Sequence, residues 1–199
     1  EIVVGLHRPV LRGQVAHVEV LDGAPEPHRI VAGVNGLTGR DVAVKRVTVV
    51  DDDFHARFSA TGRTYRYRIS RLPTALDHRF VWYVASDLDI DAMSTATSAL
   101  IGRYPATSWC SARARDTDAV VDVRSARVET VGDEVVFEIT ANRFVMHMVR
   151  SIVGTLVEIG RHARQPDEMR EIVNARDRNR AGETAPPRGL CLENVEYGT

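Results

Sequence analysis

The stretch Asp53-Phe54-His55-Ala56-Arg57-Phe58-Ser59-Ala60-Thr61-Gly62-Arg63-Thr64-Tyr65-Arg66-Tyr67-Arg68-Ile69-Ser70 decides how the rest of the chain is read. Its second half alternates with period two, which puts Tyr65, Tyr67 and Ile69 on one face of a strand and Arg66 and Arg68 on the other. Arg57, Arg63 and Arg71 add charge on either side, and no acid interrupts the run between Asp53 and Asp77. Tyrosines interleaved with arginines suit a polyanion whose bases stack on rings, which describes RNA. The same pattern also fits a half-buried antiparallel strand with a solvated basic face. Both readings stand on these residues alone.

Working outward, the chain reads as strands and helices in hairpin order. Gln14 to Val20 and the β-branched run Val42 to Val50 read as strands, and His28 to Leu37 as a short helix between them. Phe80 to Val84 is a further strand, and Asp89 caps a helix that runs through Leu100. Val120 to Val131 and Glu134 to Thr140 pair across Gly132-Asp133, a strong hairpin signal. A helix is expected from Asn142 or Arg143 to Ile159, stopped by Gly160, and Gly154 within it calls for close approach by a backbone or by RNA. Pro166 opens a short helix with Met169, Ile172 and Val173 inside, and Leu190 to Tyr197 is a closing strand. This order indicates an α+β fold built on a largely antiparallel mixed sheet flanked by helices.

Composition excludes some classes of function. The 199 residues carry a net charge of −1, with 44% hydrophobic and 27% charged residues. No apolar run approaches the roughly 20 residues of a membrane span. Cys110 and Cys191 stand alone, as free thiols of a reducing compartment do, so a cytoplasmic setting is expected. The histidines, His7, His17, His55 and His147 among them, lack ligand spacing, and the acids Asp51 to Asp53 read as a solvated turn, so no metal is expected. No phosphate loop, nucleophile elbow or dinucleotide fingerprint occurs.

Two further stretches, Ala141-Asn142-Arg143-Phe144-Val145-Met146-His147-Met148-Val149-Arg150-Ser151-Ile152-Val153-Gly154 and Thr184-Ala185-Pro186-Pro187-Arg188-Gly189-Leu190, complete a pattern with FHARFSAT and YRYRI. In order and spacing these resemble the tRNA pseudouridine synthase A family, over about residues 13 to 199. The resemblance implies the pseudouridine synthase fold and isomerisation of uridine to pseudouridine in the anticodon stem-loop of tRNA. It implies no cofactor and a homodimer. Tyr65 would pack against an extruded uracil, and Arg150 would hold the catalytic aspartate, a task suited to its planar fork. His55, Arg57, Arg66 and Arg68 complete the expected substrate-binding set.

One part of the pattern departs. The family's nucleophile loop reads G-R-T-D-x-G-V-H, and here its aspartate position is Val3 if Gly5-Leu6-His7 matches G-V-H, or Leu6 if the match runs without gaps from Gly13. Neither side chain can attack or take a proton, so no catalytic residue is assigned and the chain as given is expected to be inactive. The other expectations are a non-catalytic RNA-binding homologue or a fragment of an intact enzyme. Residues 1–53 then read as the remnant of an N-terminal subdomain and residues 54–199 as the C-terminal synthase subdomain.

Overall fold

The computed structural model describes residues 10–19, 23, 25–39, 42–110 and 119–198. Val3 and Leu6, the two candidate positions for the family's aspartate, lie outside the described residues. The chain divides into two compact units, with described residues 15–59 in one and 10–14 with 60–198 in the other. The quoted stretch is therefore shared between them, FHARFS in the first and the alternating tyrosines and arginines in the second.

In the first unit, Pro27–Leu37 forms helix α1, entered through a proline at its first position. Asn35 follows inside the helix, and its side chain clamps Val44, donating to the Val44 carbonyl at 2.9 Å and accepting the Val44 N–H at 2.7 Å. Residues 42–50, expected as a strand, form none. Valine-rich chain favours a pleated surface only where a partner offers ladder bonds, and no such partner pairs with it among the described residues. Gln14 to Glu19 likewise form no strand and lie exposed, while Val20 falls outside the described residues.

The second unit is built on a seven-stranded sheet. Its strands are β1 (Val10–Leu11), β2 (Ala60–Ser70), β3 (Trp82–Tyr83), β4 (Gly102–Pro105), β5 (Val120–Val131), β6 (Glu134–Ala141) and β7 (Leu190–Tyr197). The order across the sheet is β1-β7-β2-β6-β5-β4, with β3 pairing beside β2. β1–β7 and β2–β3 run parallel and every other pair antiparallel, as the mixed but mainly antiparallel expectation requires. Gly132 takes φ +58° in the turn between β5 and β6, a conformation that costs a glycine little.

Helices α2 (Ile90–Thr97), α3 (Met148–Gly160) and α4 (Glu168–Ala175) cover one face of this sheet. Asp89 caps α2 by accepting the Ala92 N–H at 2.9 Å. Tyr67, Ile69, Val135, Phe137 and Ile139 point from β2 and β6 into a core closed by Met93, Met148, Ile152, Leu156, Ile159 and Met169. The period-two reading of β2 holds residue by residue. α3 starts six residues later than Asn142, because His147 adopts a left-handed conformation (φ 68°) that helix cannot propagate through. Residues 142–147 form a loop instead, pinned where Asn142 accepts the Asp122 N–H at 2.8 Å and Arg63 donates to the Asn142 carbonyl at 2.7 Å.

Candidate functional site

Tyr65 and Tyr67 share the inner face of β2 but meet different environments. Tyr67 is wholly buried, and its hydroxyl donates to the Pro186 carbonyl at 2.6 Å. Tyr65 is only partly buried and stands edge-on to Phe144, with ring centroids 4.9 Å apart. Burial pushes both phenols up, opposed at Tyr67 by Arg150 and Arg188 and at Tyr65 by Arg63, so both stay protonated in the physiological range. Of the two rings, Tyr65 alone keeps accessible surface for a ligand to cover.

Arg150 projects from the first turn of α3. Its Nε donates to the Ala185 carbonyl at 2.6 Å, while the Ala185 N–H returns a bond to the Arg150 carbonyl at 3.0 Å. The Nε donor is thus committed to the protein and the outer fork of the guanidinium is left. Burial lowers its pKa, with Tyr67 opposing, and no carboxylate among the described residues pairs with it. A half-buried guanidinium without a counter-charge is costly, and it supplies two parallel donors to any anion brought beside it.

The segment 181–189 holds both groups in place. Gly182 donates to Thr155 Oγ1 at 2.9 Å, and Glu183 donates to Glu158 Oε1 at 3.0 Å. Gly154 lets the Glu183 carbonyl lie directly on α3, where a Cβ would overlap its oxygen. The glycine expected to admit a backbone or RNA admits this backbone. Gly189 faces the Tyr67 ring just as closely, since a Cβ there would come 2.5 Å from Tyr67 Cε1. The T-A-P-P-R-G-L motif is therefore a strap across β2 and α3. Its period-free sequence hid that role, and only its two prolines and its glycine hinted at a fixed path.

Arg66 and Arg68 point to the other face of the sheet, and carboxylates meet them there. Arg66 pairs with Glu138 at 3.1 Å and Glu193 at 3.5 Å. Arg68 forks onto Glu134 at 2.6 and 2.7 Å and reaches Asp77 at 3.3 Å. Arg127 adds a second cation to Glu138 at 2.9 Å. The stretch 54–76 holds no acid, but neighbouring strands bring acids to it in register, Arg66 lying opposite Glu138 and Glu138 opposite Arg127. The face is a ladder of alternating signs in place of a basic stripe.

That ladder sets an acid-stability limit. Burial raises the Glu138 carboxyl, but hydrogen bonds from Arg127 and Arg66 outweigh it and hold the group below the usual carboxylate range. A depressed folded-state pKa gives stability that is complete above the ordinary glutamate value, about 4.3, and is lost as pH falls through the folded value. Urea midpoints of wild type and Glu138→Gln should differ most near neutrality and converge on acidification below about pH 4. A gap that ignores pH would mean that the ladder carries no such linkage.

His55 and Arg57 belong to the first unit. His55 organises a tight turn in which its Nδ1 accepts the Arg57 N–H at 3.1 Å and Ser59 Oγ accepts the His55 N–H at 2.9 Å. Its ring lies 4.4 Å from those of both His17 and Phe58, and Arg57 covers Phe58 with its guanidinium carbon 5.7 Å from the centroid. This cluster of ring and cation, with Phe58 75% exposed, is a second surface suited to stacking.

The sequence is similar to known proteins over most of its length. A family model described as tRNA pseudouridine synthase matches residues 96–198, which include β5, β6, α3, the strap and β7. A tRNA pseudouridine synthase A of Brevibacillus brevis is 42% identical over 189 residues, spanning 94% of this chain and 77% of its own length. One of Moorella thermoacetica is 39% identical over 188 residues (94% and 76%), and one of an Exiguobacterium species 36% over 185 residues (93% and 75%). With β5, β6, the α3 arginine and the strap inside the matched region, and these relatives similar over most of the chain, the chain belongs to the tRNA pseudouridine synthase family.

Proposed function

We propose that this chain binds tRNA and receives a uridine of the anticodon stem-loop against Tyr65, at a site built for isomerisation to pseudouridine. The observation that carries the reading is Arg150. Its Nε is committed to Ala185, and its outer fork is held near Tyr67 with no carboxylate partner among the described residues. Isomerisation needs the glycosidic bond broken, the uracil turned and the ring rejoined through carbon. A base extruded from its stack and an aspartate beside it are the requirements, and an arginine fork keeps such an aspartate ionised and oriented. Tyr65 offers a ring face whose stacking on a base is worth about 1–3 kcal/mol.

In this polypeptide the aspartate position reads Val3 or Leu6, so the site binds without reacting. His55 and Arg57 supply further contacts to the substrate. A homodimer and a cytoplasmic setting accord with the family resemblance and a tRNA substrate. No helix among the described residues is long and apolar enough to cross a membrane.

The test is incubation with unmodified tRNA, mapping of pseudouridine, and affinity measurement on the same samples. Binding is expected with no pseudouridine above background. Tyr65→Ala should lower affinity by about 1–3 kcal/mol while the fold is retained. Turnover by the unaltered chain would require a nucleophile outside both aligned positions. Undiminished affinity in Tyr65→Ala would remove the ring from the site.

A further inference from the structure

Beside the strap lies an open cleft of about 470 Å³, lined by His147, Arg178, Asn179, Gly182, Glu183 and Thr184 among others. Arg178 forms its floor of charge. Its Nη1 donates to the carbonyls of Ala181 at 3.3 Å and Gly182 at 3.0 Å, and its Nη2 donates to Thr184 Oγ1 at 2.9 Å. A guanidinium has five N–H donors, so these three contacts leave at least two without an acceptor among the described residues. No carboxylate among the described residues pairs with it, and the bonds to its own loop fix the head rigidly.

His147, the residue before α3, also lines the cleft. His147 holds the left-handed conformation there, its side chain caps no amide, and no acid occupies the first turn. The first amide of α3, at Met148, already donates to the Val145 carbonyl at 3.1 Å, which leaves the His147 ring as the group this end offers to the cleft. Burial, Arg150 and Arg178 together lower the His147 pKa, which marks the local field as positive. Glu183 is the one acid on the rim among the described lining residues and is exposed to solvent. Glu158, beneath Gly182, is already paired with Arg164.

We propose that this cleft is a phosphate site, in which Arg178 and His147 hold a backbone phosphodiester of the bound RNA. The site rests on the tRNA reading above and adds to it an anchor one helical turn from Arg150. A phosphate fixed there sets the backbone from which a nucleotide is presented toward the Arg150 fork. The fixed planar head of Arg178 suits a phosphate oxygen pair better than a mobile ammonium would.

Affinity for unmodified tRNA measured across a salt series tests the site. Loss of one phosphate contact should reduce the slope of log affinity against log salt by about 1. Arg178→Gln should show that loss and bind about tenfold more weakly, as expected for a charge-assisted bond removed. Arg178→Lys should recover the slope but not all of the affinity. His147→Asn keeps the left-handed backbone and breaks no internal bond, so it should weaken binding without moving the melting temperature. An unchanged slope in Arg178→Gln, with the wild-type melting temperature, would overturn the phosphate site and leave the tRNA reading intact. If Arg178→Gln unfolds, undiminished affinity in His147→Asn overturns it instead. Absence of tRNA binding by the wild type would overturn both the function and the RNA assignment. Inorganic phosphate shifting the His147 ring resonances would then identify a site for free phosphate only.

Discussion

Tyr67→Ala is expected to lower stability by about 3–5 kcal/mol, the range for removing a large buried ring. Tyr67 is fully buried between Trp82, 6.2 Å away edge-on, and Gly189, and nothing beside it is free to fill the space. Against a typical total of about 5–15 kcal/mol the variant sits close to unfolding at physiological temperature. Tyr67→Phe separates ring from hydroxyl. It keeps the packing and strands only the Pro186 carbonyl, at a cost of about 1–2 kcal/mol. Urea midpoints of the two variants check the division. Equal losses would show that the strap bond, rather than the ring, holds this region together.

Gly154→Ala is expected to cost about 1–3 kcal/mol and to weaken tRNA binding as well. In an unencumbered helix the same change would stabilise by about 1 kcal/mol. Here the new methyl meets the Glu183 carbonyl oxygen and comes 2.9 Å from its carbon, and backbone does not yield as a side chain tip does. The strap must lift, taking with it the Ala185 carbonyl that orients Arg150. Calorimetric melting and tRNA affinity measured together check this. A variant more stable than wild type would mean that the strap moves freely.

Legibility in the sequence followed how local the cause was. The tyrosine and arginine faces of β2, the Gly132 hairpin, the Asp89 cap and β7 all follow from patterns within a few residues, and each is present. Residues 42–50 carried strand propensity without a partner, which no window along the chain can reveal. The late start of α3 depends on the left-handed turn at His147, and the apolar periodicity of Phe144 and Val145 ran straight past it. Tyr65 and Arg150 stood out through the family motifs, and the structure shows a partly buried ring at the one and an Nε bonded to the Ala185 carbonyl at the other. The acids that neutralise Arg66 and Arg68 were not, because Glu138, Glu193 and Glu134 reach them from other strands.

The position of β7 in the sheet has a consequence for synthesis. β7 follows every other strand in the chain yet lies between β1 and β2. The pairing of Tyr65 with Leu192 closes a loop longer than half the chain, so it forms late and at high entropic cost. Until residues 190–197 leave the ribosome, β2 can pair with β6 but keeps a bare edge on its other side. The strap that seats Arg150 directly precedes β7 and arrives with it. A nascent chain therefore shows an open strand edge and a half-built site from the emergence of β2 until that of β7, the state in which edge-to-edge aggregation and chaperone capture compete with folding.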